Sequence, residues 1–483
     1  MSLKKYITET NVFLVSLTIC ILVLLVPHLL RYAHGNFTII GDMSYYHLRM
    51  SQTIMETKEI PSYDPLSLTN RIYRFEPYHV VLAGLGFIIG LETASFTLPF
   101  MLGILSFIVL YLILRRIKIN LEQRALIVFI LLLSPIFIYT YTISNEFSCG
   151  IFVLLLGFYL FMNKNSAISF VSVVLFMFSS LFGLENTFIA LIIMAAYALL
   201  HKDKLKSFFA VGAILIVFSA YYYGIFYYHF GFQIPTRFNL YYMIKEFLSD
   251  LGSLTGFSVF AIFLGIIGVL ESWKDKKKFS LVYLLMIVLI VLSWYSSQYA
   301  LYLNFFISIF AGIGFIALIK MRWSLEYIKQ LTLLVLACGL IFSATSYVIR
   351  LANEQPTPAI REALTWLQQN SNANEIVFSD PSRGFWIEYF AQRYVYADEL
   401  ITYSLDYATR VNISQSLFYG RRLMETSNLL KTNGISYIFI DDEMKKGLVW
   451  EKDKQGLLYL LRNNETFKNL YTQKGIEIWK YIG

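Results

Sequence analysis

The chain has 483 residues, of which 57% are apolar and 15% are charged, and its mean hydropathy is +0.58. These proportions exclude a soluble globular domain and indicate a polytopic membrane protein. The formal net charge of +8 would suggest nucleic acid in a soluble protein. Here the excess Lys and Arg residues fall in loops that we assign to the cytoplasm, so we predict no nucleic-acid partner.

Apolar runs of about 20 residues recur from Asn11 to Leu351. Each is long enough to cross roughly 30 Å of hydrocarbon as a helix, and about eleven transmembrane helices are predicted. Their approximate ranges are roughly 11–32, 95–114, 124–142, 147–163, 167–184, 187–200, 207–228, 253–271, 279–297, 299–319 and 329–351.

The segment 78–91 is apolar but short for a span. Counting it as a span would move the basic loop 115–124 to the outside, against the tendency of short cytoplasmic loops to collect Lys and Arg. We therefore predict that it lies at the interface or re-enters the membrane. The N-terminus is then cytoplasmic, and the region after Leu351 is extracytoplasmic.

Composition changes after the last span, where Asn, Asp, Glu, Gln and Pro become frequent. We predict a transmembrane domain over 1–352, with an external loop at 33–94, and a soluble extracytoplasmic domain over 353–483. Periodicity in this second part predicts a small α/β domain. Its helices are predicted at 360–369 and 413–431, and its strands at 375–378, 394–396, 436–440 and 476–481.

The polar clusters all fall on the external side of this topology. Asp42, His47 and Arg49 follow the first span, and Asn145 and Glu146 separate the third and fourth. Further external residues are Glu185, Arg237 and Glu246. An acidic residue at a helix end, such as Glu185 or Glu246 taken alone, often marks only the lipid boundary.

Carboxylates beside a membrane-facing cavity suit two kinds of chemistry. One carboxylate can act as a general base toward an acceptor, or several can hold a divalent cation that stabilises a leaving phosphate. Oxygen ligands of this type fit Mg²⁺ or Mn²⁺. His47 could also bind a metal, although a single histidine in an aromatic loop is more often a hydrogen-bonded structural residue.

The order of motifs in the first external region carries a family resemblance. Asp42 and the segment Tyr46-His47-Leu48-Arg49 precede Arg74-Phe75-Glu76-Pro77-Tyr78-His79, a short interfacial helix and a span that ends in Arg115-Arg116. This order resembles the membrane glycosyltransferases of the GT-C fold. Within that fold it is most similar to the catalytic subunit of archaeal and bacterial oligosaccharyltransferases, over about residues 10–400.

The resemblance implies roles for individual residues. Asp42 matches the first-loop aspartate that contacts the metal and the acceptor, so it is the expected catalytic residue. Asn145 and Glu146 lie where the second external loop supplies further metal ligands. Glu246 lies in the loop from Gln233 to Asp250, which corresponds to the family's long external loop, and it is a third expected metal ligand.

Two departures from the family pattern change the expected substrates. The late-span Arg-Phe-x-x-Tyr pattern, whose arginine meets a lipid-linked pyrophosphate, reads Gln298-Tyr299-Ala300-Leu301-Tyr302 here. A lost guanidinium–phosphate contact removes about 1.5–3 kcal/mol. Other external arginines are therefore expected to bind the donor phosphate, namely Arg49, Arg71, Arg74 and Arg237.

The second departure concerns recognition of the acceptor. The Trp-Trp-Asp-Tyr-Gly signature of the soluble domain is replaced by Asp380-Pro381-Ser382-Arg383-Gly384, which Trp386 follows. Asp380, Arg383 and Trp386 are the expected acceptor-side residues. The alternative is that the soluble domain only orders the external loops.

These observations predict transfer of a sugar or oligosaccharide from a polyprenyl (dolichyl)-phosphate donor to a peptide, glycan or lipid acceptor outside the cytoplasm. One alternative, favoured by Gln298, uses a polyprenyl-monophosphate sugar and a lipid, glycan or Ser/Thr acceptor. Another is a non-catalytic binder or transporter of lipid-linked glycans.

Overall fold

The computed structural model describes residues 8–68, 71–231, 240–404, 406–452 and 454–483. The chain divides into two compact units. The helical unit comprises Met1–His34, Glu76–Tyr78 and Phe96–Asn353, and the sheet unit comprises Gly35–Phe75, His79–Ser95 and Glu354–Gly483. Most of the segment predicted as an external loop at 33–94 therefore belongs to the same compact unit as the C-terminal region.

Fifteen α-helices precede the C-terminal region in the described residues, and they are numbered in chain order. They are α1 (Glu9–Ala33), α2 (Met43–Thr57), α3 (Pro77–Ile89), α4 (Leu91–Arg116), α5 (Leu121–Leu132), α6 (Pro135–Thr142), α7 (Glu146–Phe161), α8 (Ser166–Ser180), α9 (Leu184–Leu200), α10 (Leu205–Phe230), α11 (Leu240–Phe247), α12 (Val259–Ser272), α13 (Lys276–Ser293), α14 (Gln298–Lys320) and α15 (Glu326–Ala352).

Helices form at all of the predicted span positions, but their lengths differ. Among the described residues, five helices are long and apolar enough to cross a membrane. The pair α5 and α6, predicted as one span, is bent by 62° and would make a sixth. The bend occurs at Ser134-Pro135, because proline starts a helix well but cannot continue one. The segment predicted at 78–91 forms the short apolar helix α3.

Helices α12 and α14 approach each other through glycines. A Cβ atom added at Gly268 would lie 1.8 Å from the backbone oxygen of Phe310. A Cβ atom added at Gly314 would lie 2.1 Å from the backbone oxygen of Leu264. Small residues thus allow direct contact between the two helix backbones, as is common in membrane helix packing.

The sheet unit contains a five-stranded mixed sheet. Its strands are β1 (Ile376–Phe378), β2 (Tyr394–Val395), β3 (Ile435–Ile440), β4 (Phe467–Gln473) and β5 (Ile476–Tyr481). The spatial order is β2-β1-β3-β5-β4. The first three strands are mutually parallel, whereas β5 is antiparallel to both β3 and β4.

Helices cover both faces of this sheet. They are α16 (Pro358–Gln369), α17 (Gly384–Trp386), α18 (Tyr407–Tyr419), α19 (Leu423–Thr432) and α20 (Leu457–Leu460). On one face, Tyr45, Tyr46 and Met50 of α2 share a buried core with α16 and with β1, β3 and β5. The first-loop helix is therefore part of the core of the C-terminal sheet.

The α/β character predicted for the C-terminal region is confirmed, with two differences in detail. The helix predicted at 413–431 is divided into α18 and α19 at Gly420, where a Cβ atom would lie 2.6 Å from Thr426 Oγ1. Strand β4 was not predicted, because its exposed polar residues lack an alternating pattern.

We predict that Gly268→Ala and Gly314→Ala each destabilise the protein, although Gly→Ala in an open helix position gains about 1 kcal/mol. The added methyl group must separate two backbones, and overpacking of this kind costs about 1–3 kcal/mol. The matched control is Gly224→Ala on α10, where nothing lies within 4 Å of the added atom. The measurement is the thermal midpoint of unfolding in detergent, and equal midpoints for all three variants would contradict the prediction.

Candidate functional site

Asp42 lies at the start of α2, and the chain before it is fixed to the segment preceding α16. Gly41 adopts a φ of 85°, which favours glycine, and its N–H donates to the Gln355 carbonyl at 3.1 Å. Thr38 Oγ1 donates to the Pro356 carbonyl at 2.5 Å. Asp42 Oδ1 accepts from the Met43 N–H at 2.8 Å. The position of this carboxylate is thus defined by backbone contacts on both sides.

Acidic residues follow the carboxyl ends of the three parallel strands. Asp380 comes after β1, Asp398 and Glu399 come after β2, and Asp441 comes after β3. Carboxyl ends of parallel strands share one edge of a sheet, which is where α/β folds usually bind ligands. The edge therefore collects carboxylates from three separate parts of the sequence.

Glu399 brings this edge close to Asp42. The two carboxyl groups lie within hydrogen-bonding range of each other. Partial burial of the carboxyl group, together with the nearby carboxylates of Asp42, Asp380 and Asp398, raises the pKa of Glu399 to about 9. The shift favours the protonated form of Glu399, although much of its side chain is exposed. The sequence analysis missed this residue, and its only signal was an acidic pair after an apolar strand.

A buried ion network lies next to this pair. Arg49 contacts both carboxylate oxygens of Asp64, at 2.5 and 2.9 Å, and one oxygen of Glu388 at 3.0 Å. Arg71 contacts Asp64 at 2.6 Å and both oxygens of Asp398 at 2.8 Å. All five residues are buried. Arg49 and Arg71, predicted as phosphate ligands, thus have their guanidinium groups directed to carboxylates of the protein.

The charges of this network balance if one acid holds a proton. Burial raises the pKa of Glu388 well above its ordinary value, although Arg49 opposes the shift. Burial also disfavours the charged form of Asp64, but Arg49 and Arg71 outweigh it and hold the pKa of Asp64 well below its ordinary value. The two guanidinium groups face the carboxylates of Asp64 and Asp398, and the shift favours the neutral form of Glu388.

Arg74 and His47 are the remaining predicted residues of the first loop, and Arg74 is half-buried. Arg237, which was predicted in a later loop, lies outside the described residues. His47 is fully buried, and its Nδ1 lies 2.8 Å from Nε2 of the buried His79. The other nitrogen of His79 lies 2.5 Å from the Tyr73 hydroxyl. Burial and the neighbouring His47 and Arg49 lower the pKa of His79 well below its usual value, so its ring is neutral.

In the helical unit, three predicted residues lie near one another. Tyr302 on α14 is within electrostatic range of Glu185, at the start of α9, and of Glu146, at the start of α7. Asn145 caps α7, since its Oδ1 accepts from the Ser148 N–H at 3.0 Å. The side chains of Tyr302, Asn145 and Glu146 are buried.

Two other predicted residues of this unit are exposed. Glu246 lies near the end of α11, and Gln298 is the first residue of α14. No described contact assigns either residue to a ligand, so their roles stay predictions.

The acceptor-side residues predicted in the C-terminal region have different environments. Arg383 is buried and pairs with Asp441 at 2.7 Å and with Glu443 at 2.5 Å. Its guanidinium carbon lies 4.9 Å from the centre of the buried Trp386 ring. Asp380 is half-buried, and its Oδ1 accepts from the Ser382 hydroxyl at 2.6 Å. Asp380 is therefore the most accessible of the three predicted acceptor-side residues.

Solved structures similar to this chain are membrane glycosyltransferases. The oligosaccharyltransferase of Archaeoglobus fulgidus with Zn and sulfate matches with a TM-score of 0.67 and 15% identity, over 96% of this chain and 73% of that chain. Arabinofuranosyltransferase AftD from Mycobacteria matches with a TM-score of 0.60 and 12% identity, over 98% of this chain and 40% of that chain. ArnT from Cupriavidus metallidurans bound to undecaprenyl phosphate matches with a TM-score of 0.53 and 12% identity, over 98% of each chain. No family model and no curated protein sequence matches the chain.

These likenesses identify the fold. All three neighbours are GT-C glycosyltransferases, and the chain is an integral membrane protein with the GT-C fold and a C-terminal α/β region. A second structure of the Archaeoglobus enzyme contains an inhibitory peptide and a dolichol-phosphate. Identities of 12–15% do not transfer these substrates to this chain.

We predict that Asp64→Asn destabilises the protein strongly, because it removes the carboxylate that two buried guanidinium groups, those of Arg49 and Arg71, share. Breaking a buried pair in this way costs about 3–5 kcal/mol. The matched control is Glu425→Gln, which removes an exposed pair with Arg422 at 2.7 Å; such pairs contribute about 0–1 kcal/mol. The measurement is the thermal midpoint in detergent. Equal midpoints for the two variants would show that the network does not hold the unit together.

Proposed function

We propose that this protein is a membrane glycosyltransferase that takes a sugar or oligosaccharide from a polyprenyl-phosphate-linked donor and transfers it to an acceptor on the extracytoplasmic side. The observation that carries the proposal is the placement of Asp42 within a GT-C fold. Its carboxylate is fixed at the start of α2 and lies beside Glu399 at the carboxyl edge of the parallel strands. The similar folds of enzymes solved with dolichol-phosphate and undecaprenyl phosphate support a polyprenyl-linked donor.

Asp42 is the proposed acceptor base. Its carboxylate takes the proton from the acceptor hydroxyl or amide, and the acceptor atom attacks the anomeric carbon. The bond between that carbon and the phosphate oxygen breaks, and the phosphate leaves with the electron pair. A positioned base of this kind contributes about 10²–10⁴-fold to rate.

A divalent cation is the cofactor that these residues would suit. Asp42 and Asp380 offer oxygen ligands, which fit Mg²⁺ or Mn²⁺ better than a softer metal. The cation would supply positive charge to the leaving phosphate. The roles of Glu146 and Glu246 as further ligands remain predictions from the sequence.

A second candidate differs in the donor. ArnT, which matches over 98% of both chains, was solved with undecaprenyl phosphate. Together with Gln298 in place of the family's arginine, this favours a polyprenyl-monophosphate sugar as donor and a lipid, glycan or Ser/Thr acceptor. The peptide acceptor has less support, because the Trp-Trp-Asp-Tyr-Gly signature is absent.

We predict that Asp42→Asn lowers sugar transfer at least about 10²-fold, because the amide cannot take a proton. The folded structure should persist, since the asparagine oxygen can still accept from the Met43 N–H. The measurement is product formation by purified protein from mono- and pyrophosphate-linked donors, offered with a sequon peptide or a lipid acceptor, with and without Mn²⁺. The control is Glu465→Gln, an exposed acid of the sheet unit.

The outcomes separate the hypotheses. Transfer from a monophosphate donor alone would favour the second candidate, and glycopeptide formation would favour an oligosaccharyltransferase. Full activity of Asp42→Asn would contradict its role as base. Binding of the donor without turnover by the wild type would favour a non-catalytic lipid-linked glycan binder or transporter.

A further inference from the structure

Arg350 lies in the last turn of α15, and neither the sequence pattern nor the proposed reaction assigns it a role. Ser343, Tyr347 and Arg350 are spaced four and three residues apart, so their side chains share one face of the helix. All three contact the same segment at 249–255, which links α11 to α12. We call this segment the α11–α12 turn.

Two of these contacts fix the turn on the helix. The Ser343 hydroxyl donates to Asp250 Oδ1 at 2.6 Å, and the Tyr347 hydroxyl donates to the Leu254 carbonyl at 2.7 Å. The other oxygen of Asp250 accepts from the Val259 N–H at 2.8 Å, at the start of α12. Both oxygens of the acid in this turn therefore accept from groups other than an arginine.

The third contact holds the Arg350 guanidinium group against the turn. Its Nη2 donates to the Ser253 carbonyl at 3.3 Å, and its carbon lies 5.5 Å from the centre of the Tyr347 ring. A Cβ atom added at Gly252 would lie 3.8 Å from Nη1. Within the part of the chain that the structure describes, Arg350 forms no ion pair with a carboxylate, and its buried Nε has no hydrogen-bond partner. A guanidinium group has five N–H donors, so one carbonyl contact leaves most of them without an acceptor.

The place of Arg350 on α15 indicates which anion it would meet. It is half-buried and lies two residues before the end of this helix, which is the predicted extracytoplasmic end of the last span. Phosphate groups of membrane lipids lie at this level. An arginine at a span end often only extends toward bulk headgroups. Here, however, the side chain is held over the turn by Tyr347 and Ser253.

We propose that Arg350, held against the α11–α12 turn, binds the phosphate group of a polyprenyl-linked lipid. This inference deepens the proposed function and rests on it, because such a lipid is the proposed donor. Arginine suits this ligand, since its planar fork can donate two parallel hydrogen bonds to one phosphate group. Arg49 and Arg71, by contrast, already pair with carboxylates of the protein.

The test measures binding of undecaprenyl phosphate to the purified protein in phosphatidylcholine nanodiscs, with phosphatidylglycerol as the comparison anionic lipid. Arg350→Gln should weaken binding of undecaprenyl phosphate about ten- to hundredfold, the range for one charge-assisted contact, and leave binding of phosphatidylglycerol unchanged. Arg350→Lys keeps the charge without the fork and should lose less. The matched control is Arg322→Gln, an exposed arginine after α14 on the predicted cytoplasmic side, which should bind as the wild type does.

Two further measurements accompany the binding assay. In the transfer assay described above, Arg350→Gln should raise the KM for the donor and leave the KM for the acceptor unchanged. A photoreactive polyprenyl phosphate, with its reactive group beside the phosphate, should label the wild type in the last turn of α15 or in the α11–α12 turn. This labelling needs no variant, so it tests the site even if Arg350→Gln does not fold.

Weaker binding by Arg350→Gln together with labelling at the turn supports the proposal. Equal binding of undecaprenyl phosphate by Arg350→Gln and the wild type overturns the role of Arg350 and leaves the proposed function standing, as does labelling confined to other segments. An equal loss for both anionic lipids shows a general headgroup contact and overturns the site. A wild type that binds no polyprenyl phosphate and transfers no sugar overturns the proposed function, and this inference with it.

Discussion

The sheet unit depends on a bidentate pair between Arg71 and Asp398, residues separated by 327 positions in the sequence. Arg71 belongs to the loop between α2 and α3, and Asp398 follows the second strand of the C-terminal sheet. Asp64 extends the pair to Arg49, and Arg49 extends it to Glu388. Buried charges are tolerated only when they are paired, so this network requires the first loop and the C-terminal segment to fold together.

This requirement explains why the two regions form one compact unit. The apolar side chains of α2 reinforce the same association, because Tyr45, Tyr46 and Met50 enter the core of the sheet. Apolar packing is non-directional, whereas bidentate guanidinium pairs fix register. The network therefore defines how the loop lies on the sheet, and Asp42 takes its place at the start of α2 as a result.

The network also changes which arginines are available to a phosphate. The sequence offered Arg49, Arg71, Arg74 and Arg237 in place of the missing late-span arginine. Arg49 and Arg71 are committed to carboxylates.

Local patterns predicted much of the fold. The helices of the membrane region and four of the five strands were predicted because apolar runs and alternation are properties of neighbouring residues. The bend at Ser134-Pro135 follows from the effect of proline on helices. It was not predicted, because the apolar run continues across the break and resembles a single span. Strand β4 could not be predicted, because its pairing with β5 is specified by a partner strand and its own residues are polar.

The candidate site was predicted less completely, because its contacts join distant positions. Asp42 could be found from a motif, whereas Glu399 and Glu388 belong to no motif and acquire their properties from burial and from neighbours across the chain. Arg49 and Arg71 were predicted to bind the donor phosphate, and nothing in the sequence showed that both are buried and contact carboxylates of the protein. The charge of an arginine does not reveal whether its partner is a substrate or another residue of the protein.

The adjacent acids Asp398 and Glu399 have different environments within one short segment. The first is buried and stabilises the unit through Arg71, and the second is exposed. The two neighbouring side chains therefore have different partners: Asp398 pairs with the buried Arg71, and Glu399 lies beside Asp42. Any change that loosens Asp398 must also move Glu399, whereas a change confined to Glu399 leaves the ion network intact.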